Sequence, residues 1–290
     1  MTDDTLDNAY RTCLQTAQQH YENFPTAARL LAKPHRRATA AIYAFARGAD
    51  DIADEGAIPA AERHQHLDHY AQQLSLIQAG IVPTEPVFLA LADTIQRYQL
   101  PIEPFTRLLQ AFRQDIDIKR YADFAALANY CHCSANPVGE LILRLHGIWN
   151  EPNAFFSNQI CTALQLINFI QDLDSDCHQR NRIYLPQDEC QQFGVKETDL
   201  IQHRQSDNLR RLIDFQIARA CDMLHSGVPL LRACPFRLRL ILKTTVMSAD
   251  CLITKLKRRQ NVFIRPVLHG PDLMQIALRS LLFQPVKASC

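Results

Sequence analysis

Glycine is scarce in this chain, with 8 residues in 290 and no two spaced as G-x-G. The phosphate-binding turns of dinucleotide-binding and P-loop enzymes need closely spaced glycines, so both classes are excluded. A surplus of charge of one sign is also missing. Thirty-one Lys and Arg face 30 Asp and Glu, whereas a chain that binds nucleic acid carries a basic excess. No nucleic-acid partner is therefore expected. One Trp and no long β-branched run argue against a β-rich fold. No apolar run approaches the ~18 residues that a membrane span requires. None of the 10 Cys forms a C-x-x-C pair, and the spacing does not suit a disulfide scaffold. The acidic start, Met1-Thr2-Asp3-Asp4, is unlike a signal peptide. The expectation is a cytoplasmic protein with free, mostly buried thiols. A peripheral contact with the inner membrane stays open.

What is present is helical. With 47% apolar and 21% charged residues, the chain has the balance of a globular domain. Apolar residues recur at helical period over 7–19, 36–54, 60–79, 86–98, 103–116, 124–146, 154–173, 206–224 and 237–257. Prolines mark the breaks, among them Pro25, Pro59, Pro83, Pro101, Pro152, Pro186 and Pro235. This predicts an all-α fold, one domain over 1–290 with nine to twelve helices around one core. Pro137 lies inside the 124–146 pattern. It deprives the Cys133 carbonyl of its helical donor, which predicts one continuous helix bent there. The competing reading starts a new helix at Pro137.

Two apparent metal motifs are set aside. Cys131-His132-Cys133 has no second ligand pair downstream. His64, His66 and His69 do not share a helix face and read as a solvated surface.

Two acidic segments differ from ordinary surface charge. In the first, Asp50 and Asp54 are i, i+4, on one helix face, and Arg47 and Tyr43 continue that stripe backwards. Like charges at this spacing cost a few tenths of a kcal/mol, which a cation would offset. In the second, Gln165, Asn168, Asp172 and Asp176 form one polar stripe on a helix otherwise rich in Ile and Leu. Either segment alone fits a wet amphipathic face. Taken together, carboxylates on two facing helices could hold Mg²⁺, which takes one or two carboxylates plus phosphate oxygens. Such a site would bind a diphosphate and promote its departure. Apolar walls would then shelter a carbocation from water.

The run Ala41 to Arg47, followed by Asp50, Asp51 and Asp54, resembles the first aspartate motif of the squalene/phytoene synthase family. Gln165 to Asn168, Asp172 and Asp176, closing with Arg182-Ile183-Tyr184-Leu185-Pro186, resembles the second. The likeness runs from about Tyr21 to Arg265. It implies an isoprenoid synthase-type helical bundle with a central cavity. It also implies that Asp50, Asp54, Asn168, Asp172 and Asp176 bind Mg²⁺. Arg47 would contact the diphosphate, with Arg265 a further candidate. Tyr43, Tyr130 and Gln165 would line the chamber, Phe24 would stand near its entrance, and Arg182 and Tyr184 would close it or support it. Asp51 and Glu55 point off the stripe, towards solvent or behind the ligands.

Ser134-Ala135-Asn136-Pro137-Val138-Gly139 resembles the hydroxysqualene synthase branch of bacterial hopanoid pathways. Gln171 stands where many relatives carry an arginine that helps hold a second prenyl diphosphate. The implied reaction is the Mg²⁺-dependent conversion of presqualene diphosphate to hydroxysqualene. The alternatives are a condensing head-to-head prenyltransferase making presqualene diphosphate, squalene or phytoene, told apart by incubation with farnesyl diphosphate alone, and a non-catalytic assembly factor. Relatives of the last kind lose aspartates that this chain keeps. Enzymes of squalene and hopanoid synthesis are the expected partners.

Overall fold

The computed structural model describes residues 3–19 and 30–281. Among these, fourteen α-helices and one 3-10 turn account for all regular structure, and the fold is all-α. In chain order the helices are α1 (Asp3–Gln19), α2 (Lys33–Asp54), α3 (Ala60–Gln78), α4 (Pro86–Tyr98), α5 (Glu103–Asp117), α6 (Phe124–Ser134) and α7 (Asn136–Leu145). They continue with α8 (Glu151–Gln171), α9 (Leu173–Gln179), α10 (Gln187–Gln192), α11 (Glu197–Ile201), α12 (Asp207–Gly227), α13 (Phe236–Arg258) and α14 (Gly270–Leu281). None is long and apolar enough to cross a membrane.

The chain forms two compact units, Met1–Asp117 with Pro137–Trp149, and Ile118–Asn136 with Asn150–Cys290. The first is built around Phe45 of α2, which is fully buried. Its ring meets Phe105 of α5 edge-on, with centroids 5.4 Å apart, and Leu67, Leu91, Leu108 and Leu141 fill the space around it. Alanines 40, 41, 44 and 90 let α1 lie close on α2 and α4. There Tyr10 of α1 donates to Asp93 at 2.6 Å. At the far end of this unit the Arg144 guanidinium covers the ring of Trp149 at 4.0 Å.

In the second unit α8 packs on α6, α12 and α13. Its core side chains are Ile160, Leu166, Ile167 and Ile170 on α8, and Leu209, Leu212, Ile213 and Ile217 on α12. Gly227 ends α12 against α8, where a Cβ would lie 2.6 Å from the Phe156 carbonyl and run into Ile160. Asn150 and Ser206 start α8 and α12 by accepting from the backbone of Asn153 and Leu209, the usual satisfaction of orphan first-turn donors. Buried Glu189 pairs with Arg219 at 2.5 Å, and Arg219 lies on the Phe124 ring at 3.9 Å.

The structure corrects the sequence reading at two helix breaks. The 124–146 pattern is not one bent helix. Helix α6 ends at Ser134, Ala135 leaves helical geometry at φ −115°, and Pro137 sits in the first turn of α7. Proline is tolerated there because that turn has no use for its missing N–H. The 154–173 pattern also breaks, at Asp172 (φ −99°, ψ 15°), between α8 and α9. The Asp172 carbonyl accepts from both the Asp176 N–H, at 2.9 Å, and the Ser175 hydroxyl, at 3.0 Å. A hydroxyl competing for a helical carbonyl bends the chain without proline or glycine.

Eight described cysteines are free and five of them are buried. Cys221 is disulfide-bonded, contrary to the expectation of free thiols. In α6, Cys131 and Cys133 are buried while His132 is exposed, and burial pushes the Cys131 thiol up to about 12. Successive residues of a helix point in different directions, so the three side chains do not converge. His64, His66 and His69 face three different carboxylates, Asp117, Glu62 and Glu85, as a solvated surface would.

Candidate active site

The first aspartate segment closes α2. Alanines 40, 41, 44, 49 and 53 are buried, while Tyr43, Arg47, Asp50 and Asp54 are half-buried along one stripe. Gly48 admits the Tyr70 hydroxyl against the helix, into which any Cβ would run. No basic residue stands in the last turn of α2, although the carbonyl end of a helix is its negative pole. Arg63 of α3 supplies the cation instead, donating to the carbonyls of Ile52, Glu55 and Gly56.

The carboxylates here are crowded. Burial, then the neighbouring Asp54, push the Asp50 carboxyl up to about 7, while Arg47 pulls the other way and Asp115 and Asp51 add to the rise. The side chain of Asp50 still keeps 38% of its accessible area. It is walled by protein yet open to solvent on one side. Arg47 reaches Asp51 at 2.5 Å, Glu55 at 2.8 Å and Asp50 at 3.4 Å. Asp51 and Glu55 thus hold Arg47 from behind the stripe. Sequence reasoning missed Asp115, a buried carboxylate on α5. It was detectable as an acid on the apolar face that carries Phe105, Leu108 and Phe112.

The second segment lies in the other unit. Gln165 and Asp176 are half-buried and Asn168 is exposed, while Ile167, Ile170 and Leu173 are buried. The stripe is as expected, but it turns at Asp172, where α8 gives way to α9. Each aspartate holds a guanidinium: Asp172 pairs with Arg265, and Asp176 pairs with Arg180 at 3.2 Å. The carbonyl end of α8 again lacks a basic residue of its own. Arg259 fills that place, donating to the Ile170 carbonyl at 3.2 and 3.3 Å. Burial, and then repulsion from Arg210, bring the Arg259 guanidinium down to about 10.

Tyr130 belongs to a buried aromatic group in this unit. Tyr184 stacks on Phe169 with centroids 3.9 Å apart and planes 8° from parallel. Tyr130 and Tyr121 each lie 5.7 Å from Tyr184. Backbone pairing holds the 183–188 segment: Ile183 donates to the Lys119 carbonyl and Gln187 to that of Tyr121, both at 3.0 Å. Tyr121 and Phe169 were not foreseen, because only the 119–122 pairing brings Tyr121 to the others. Arg182 is buried, and its N–H donates to the Asp176 carbonyl at 2.8 Å. One turn beyond Tyr130 on α6, the Ser134 hydroxyl is closed to solvent and has no hydrogen-bond partner among the described residues. Asn136 is buried and accepts from Thr162 at 3.0 Å. Phe24 lies outside the described residues.

A family model described as squalene/phytoene synthase matches residues 17–272. A phytoene synthase of Arthrospira platensis is 34% identical over 229 residues, 74% of this chain and 73% of its own length. A hydroxysqualene synthase of Rhodopseudomonas palustris is 31% identical over 255 residues, 85% of this chain and 84% of its own. Among solved structures, the squalene synthase HpnC from Alicyclobacillus acidocaldarius superposes with a TM-score of 0.83 at 35% identity, covering 89% of this chain and 96% of that one.

Proposed function

The chain belongs to the squalene/phytoene synthase family of enzymes acting on prenyl diphosphates, and from that premise we propose that it is a hydroxysqualene synthase of isoprenoid metabolism. It would convert presqualene diphosphate and water to hydroxysqualene and diphosphate, a carbon–oxygen lyase step leading towards hopanoids.

Each unit carries a donor set that fits Mg²⁺: Asp50 and Asp54 in the first, and Asn168, Asp172 and Asp176 in the second, offer hard oxygen ligands. The Asp50 carboxyl is raised by burial and then by Asp54, while Asp172 and Asp176 already draw guanidinium cations. When bound, Mg²⁺ supplies the positive charge that lets a diphosphate leave. Arg47 in the first unit and Arg265 in the second are the guanidinium groups beside these carboxylates that suit diphosphate oxygens. The C–O bond breaks, and its electron pair departs with the diphosphate. Tyr130, with Tyr121, Tyr184 and Phe169 around it, presents π faces that favour a cation. The cyclopropylcarbinyl cation then rearranges, sheltered from water. Water then adds to the final cation, and its proton passes to the solvent or to the released diphosphate.

The observation that carries the reading is the Tyr130–Ser134 pair. Residues i and i+4 share a helix face, so the unpartnered Ser134 hydroxyl lies beside the cation-stabilising ring, where it can orient a water. Gln171 adds support. It is neutral and buried, and its amide is committed to the Pro266 carbonyl at 2.6 Å, so it brings no charge for a second diphosphate. The condensing reaction is favoured by the phytoene synthases among the relatives, at 31–34% identity.

Product analysis separates the two. Presqualene diphosphate with Mg²⁺ and ¹⁸O water, without NADPH, should give labelled hydroxysqualene. Ser134→Ala should divert product to unhydroxylated hydrocarbon while presqualene diphosphate is still consumed. Phytoene or presqualene diphosphate formed from C20 or C15 diphosphates alone, or squalene made only with NADPH, would overturn the assignment.

A further inference from the structure

Asp172 and the Arg265 that pairs with it are 93 residues apart in sequence, and the contacts that bring them together are specific. The segment after α13 is pinned at several points. Arg210 donates to the Gln260 carbonyl at 2.9 Å, and the Gln205 side chain accepts from the Val262 N–H at 3.3 Å. Val262 and Phe263 are buried. Arg259 bridges the carbonyls of Ile170 and Ile264. Gln171, the last residue of α8, donates to the Pro266 carbonyl at 2.6 Å. The backbone on both sides of Arg265 is therefore tied to the end of α8. The Arg265 side chain, by contrast, keeps 49% of its accessible area. Its root is fixed and its charged head is half exposed.

That head rests on the carboxylate assigned above to Mg²⁺. Guanidinium and a hard dication compete for the same oxygens and repel each other. With a diphosphate present the sign reverses, because the guanidinium gains a better anion and the carboxylate is released. We propose that Arg265 is an internal placeholder for the metal, and that Gln171 is the positioning residue that sets it on Asp172. Arg265 opposes metal binding while no diphosphate is present and favours it once diphosphate arrives. Metal and diphosphate then bind with positive coupling, reciprocal by linkage, and Asp172 is kept from holding a metal without its substrate. The inference rests on Asp172 being a metal ligand, though not on which prenyl product is made.

The test uses the full chain and needs no turnover. Mn²⁺ is titrated calorimetrically into wild type, Arg265→Gln, Gln171→Met, the double variant and, as a locator of the site, Asp172→Asn. Inorganic pyrophosphate is then titrated at low and at saturating free Mn²⁺. An exposed ion pair is worth at most about a factor of five. Arg265→Gln should therefore bind Mn²⁺ about three- to fivefold more tightly without pyrophosphate, and should lose much of the enhancement that pyrophosphate gives wild type. Gln171→Met should move Mn²⁺ affinity in the same direction by less, and the double variant should match Arg265→Gln alone, since the two act as one unit. A general loss of fold would weaken binding instead. Unchanged or weaker Mn²⁺ binding in Arg265→Gln, or an undiminished pyrophosphate effect, overturns the proposal. Additive effects of the two substitutions overturn the role of Gln171. Mn²⁺ affinities that move as described, in a protein that makes no hydroxysqualene, would support this inference and sink only the reaction assigned above.

Discussion

Gly227→Ala is a demanding test of the packing in the second unit, because two opposing effects of similar size meet there. Alanine is the better helix former, by about 1 kcal/mol in a helix interior and by less at a last residue such as this one. Against that gain, a Cβ would stand 2.6 Å from the Phe156 carbonyl oxygen, about 0.8 Å short of ordinary contact, and would strike the Ile160 side chain. Ile160 can turn, but the carbonyl belongs to α8 and moves only with the helix. Overpacking of this kind costs roughly 1–3 kcal/mol, so the net effect should be destabilisation of about 1–2 kcal/mol. For a unit of this size, that lowers the melting temperature by roughly 3–8 °C. Circular dichroism melts of wild type, Gly227→Ala and a control, Gly270→Ala, would measure it. The control adds its Cβ where nothing lies within 4 Å and should leave the melt unchanged. A Gly227→Ala protein as stable as wild type would show that α8 and α12 are not in rigid contact there.

Three further outcomes can be checked. Asp50→Asn should remove a pH dependence seen in EDTA: a carboxyl raised from 3.8 to about 7 binds its proton more tightly when folded, so wild type loses stability as pH rises through that interval. The full linkage would be about 4 kcal/mol. With the side chain 38% accessible, screening reduces it to about 1–2 kcal/mol, and urea melts at pH 5 and pH 8 should show the variant gaining on wild type only at the higher pH. Glu189→Ala should cost about 2–4 kcal/mol, because it strands Arg219 and Gln216 without their buried acceptor; a loss below 1 kcal/mol in urea would contradict this. Asp172→Asn should lower turnover by about 100-fold or more, since even residues behind a metal ligand are worth 10- to 100-fold, with far-ultraviolet circular dichroism unchanged; near-normal turnover would remove Asp172 from the site.

Proline and periodicity made most helices legible in advance. Helix α4 runs from Pro86 to Tyr98 as its pattern demanded, the polar stripe of α2 is half-buried, and that of α8 runs from half-buried Gln165 to exposed Asn168. The break at Asp172 was not legible, because neither proline nor glycine marks it; its cause is the local choice of the Ser175 hydroxyl. Pro137 was visible but ambiguous, since a proline can bend a helix or begin one, and the break at Ala135 decides for the second. Short α10 and α11 carry too few residues to show a period. The pairs Gln171–Pro266 and Arg265–Asp172 join segments more than 90 residues apart. A single sequence names such residues as candidates without saying which partner each has chosen.

The covering of Trp149 by Arg144 has a practical consequence. This is the only tryptophan in the chain, and it belongs to the unit built around Phe45. The tyrosines 121, 130 and 184 stack together in the other unit. Indole emission therefore reports on the first unit alone, while the near-ultraviolet signal of the phenols combines the cluster of the second unit with Tyr10 and Tyr70 of the first. Loss of the stacked cation on unfolding alters the indole emission, and loss of the phenol cluster alters the dichroism. Followed side by side through a denaturant series, the two signals would report whether the halves unfold in one transition or in two, without a single introduced probe.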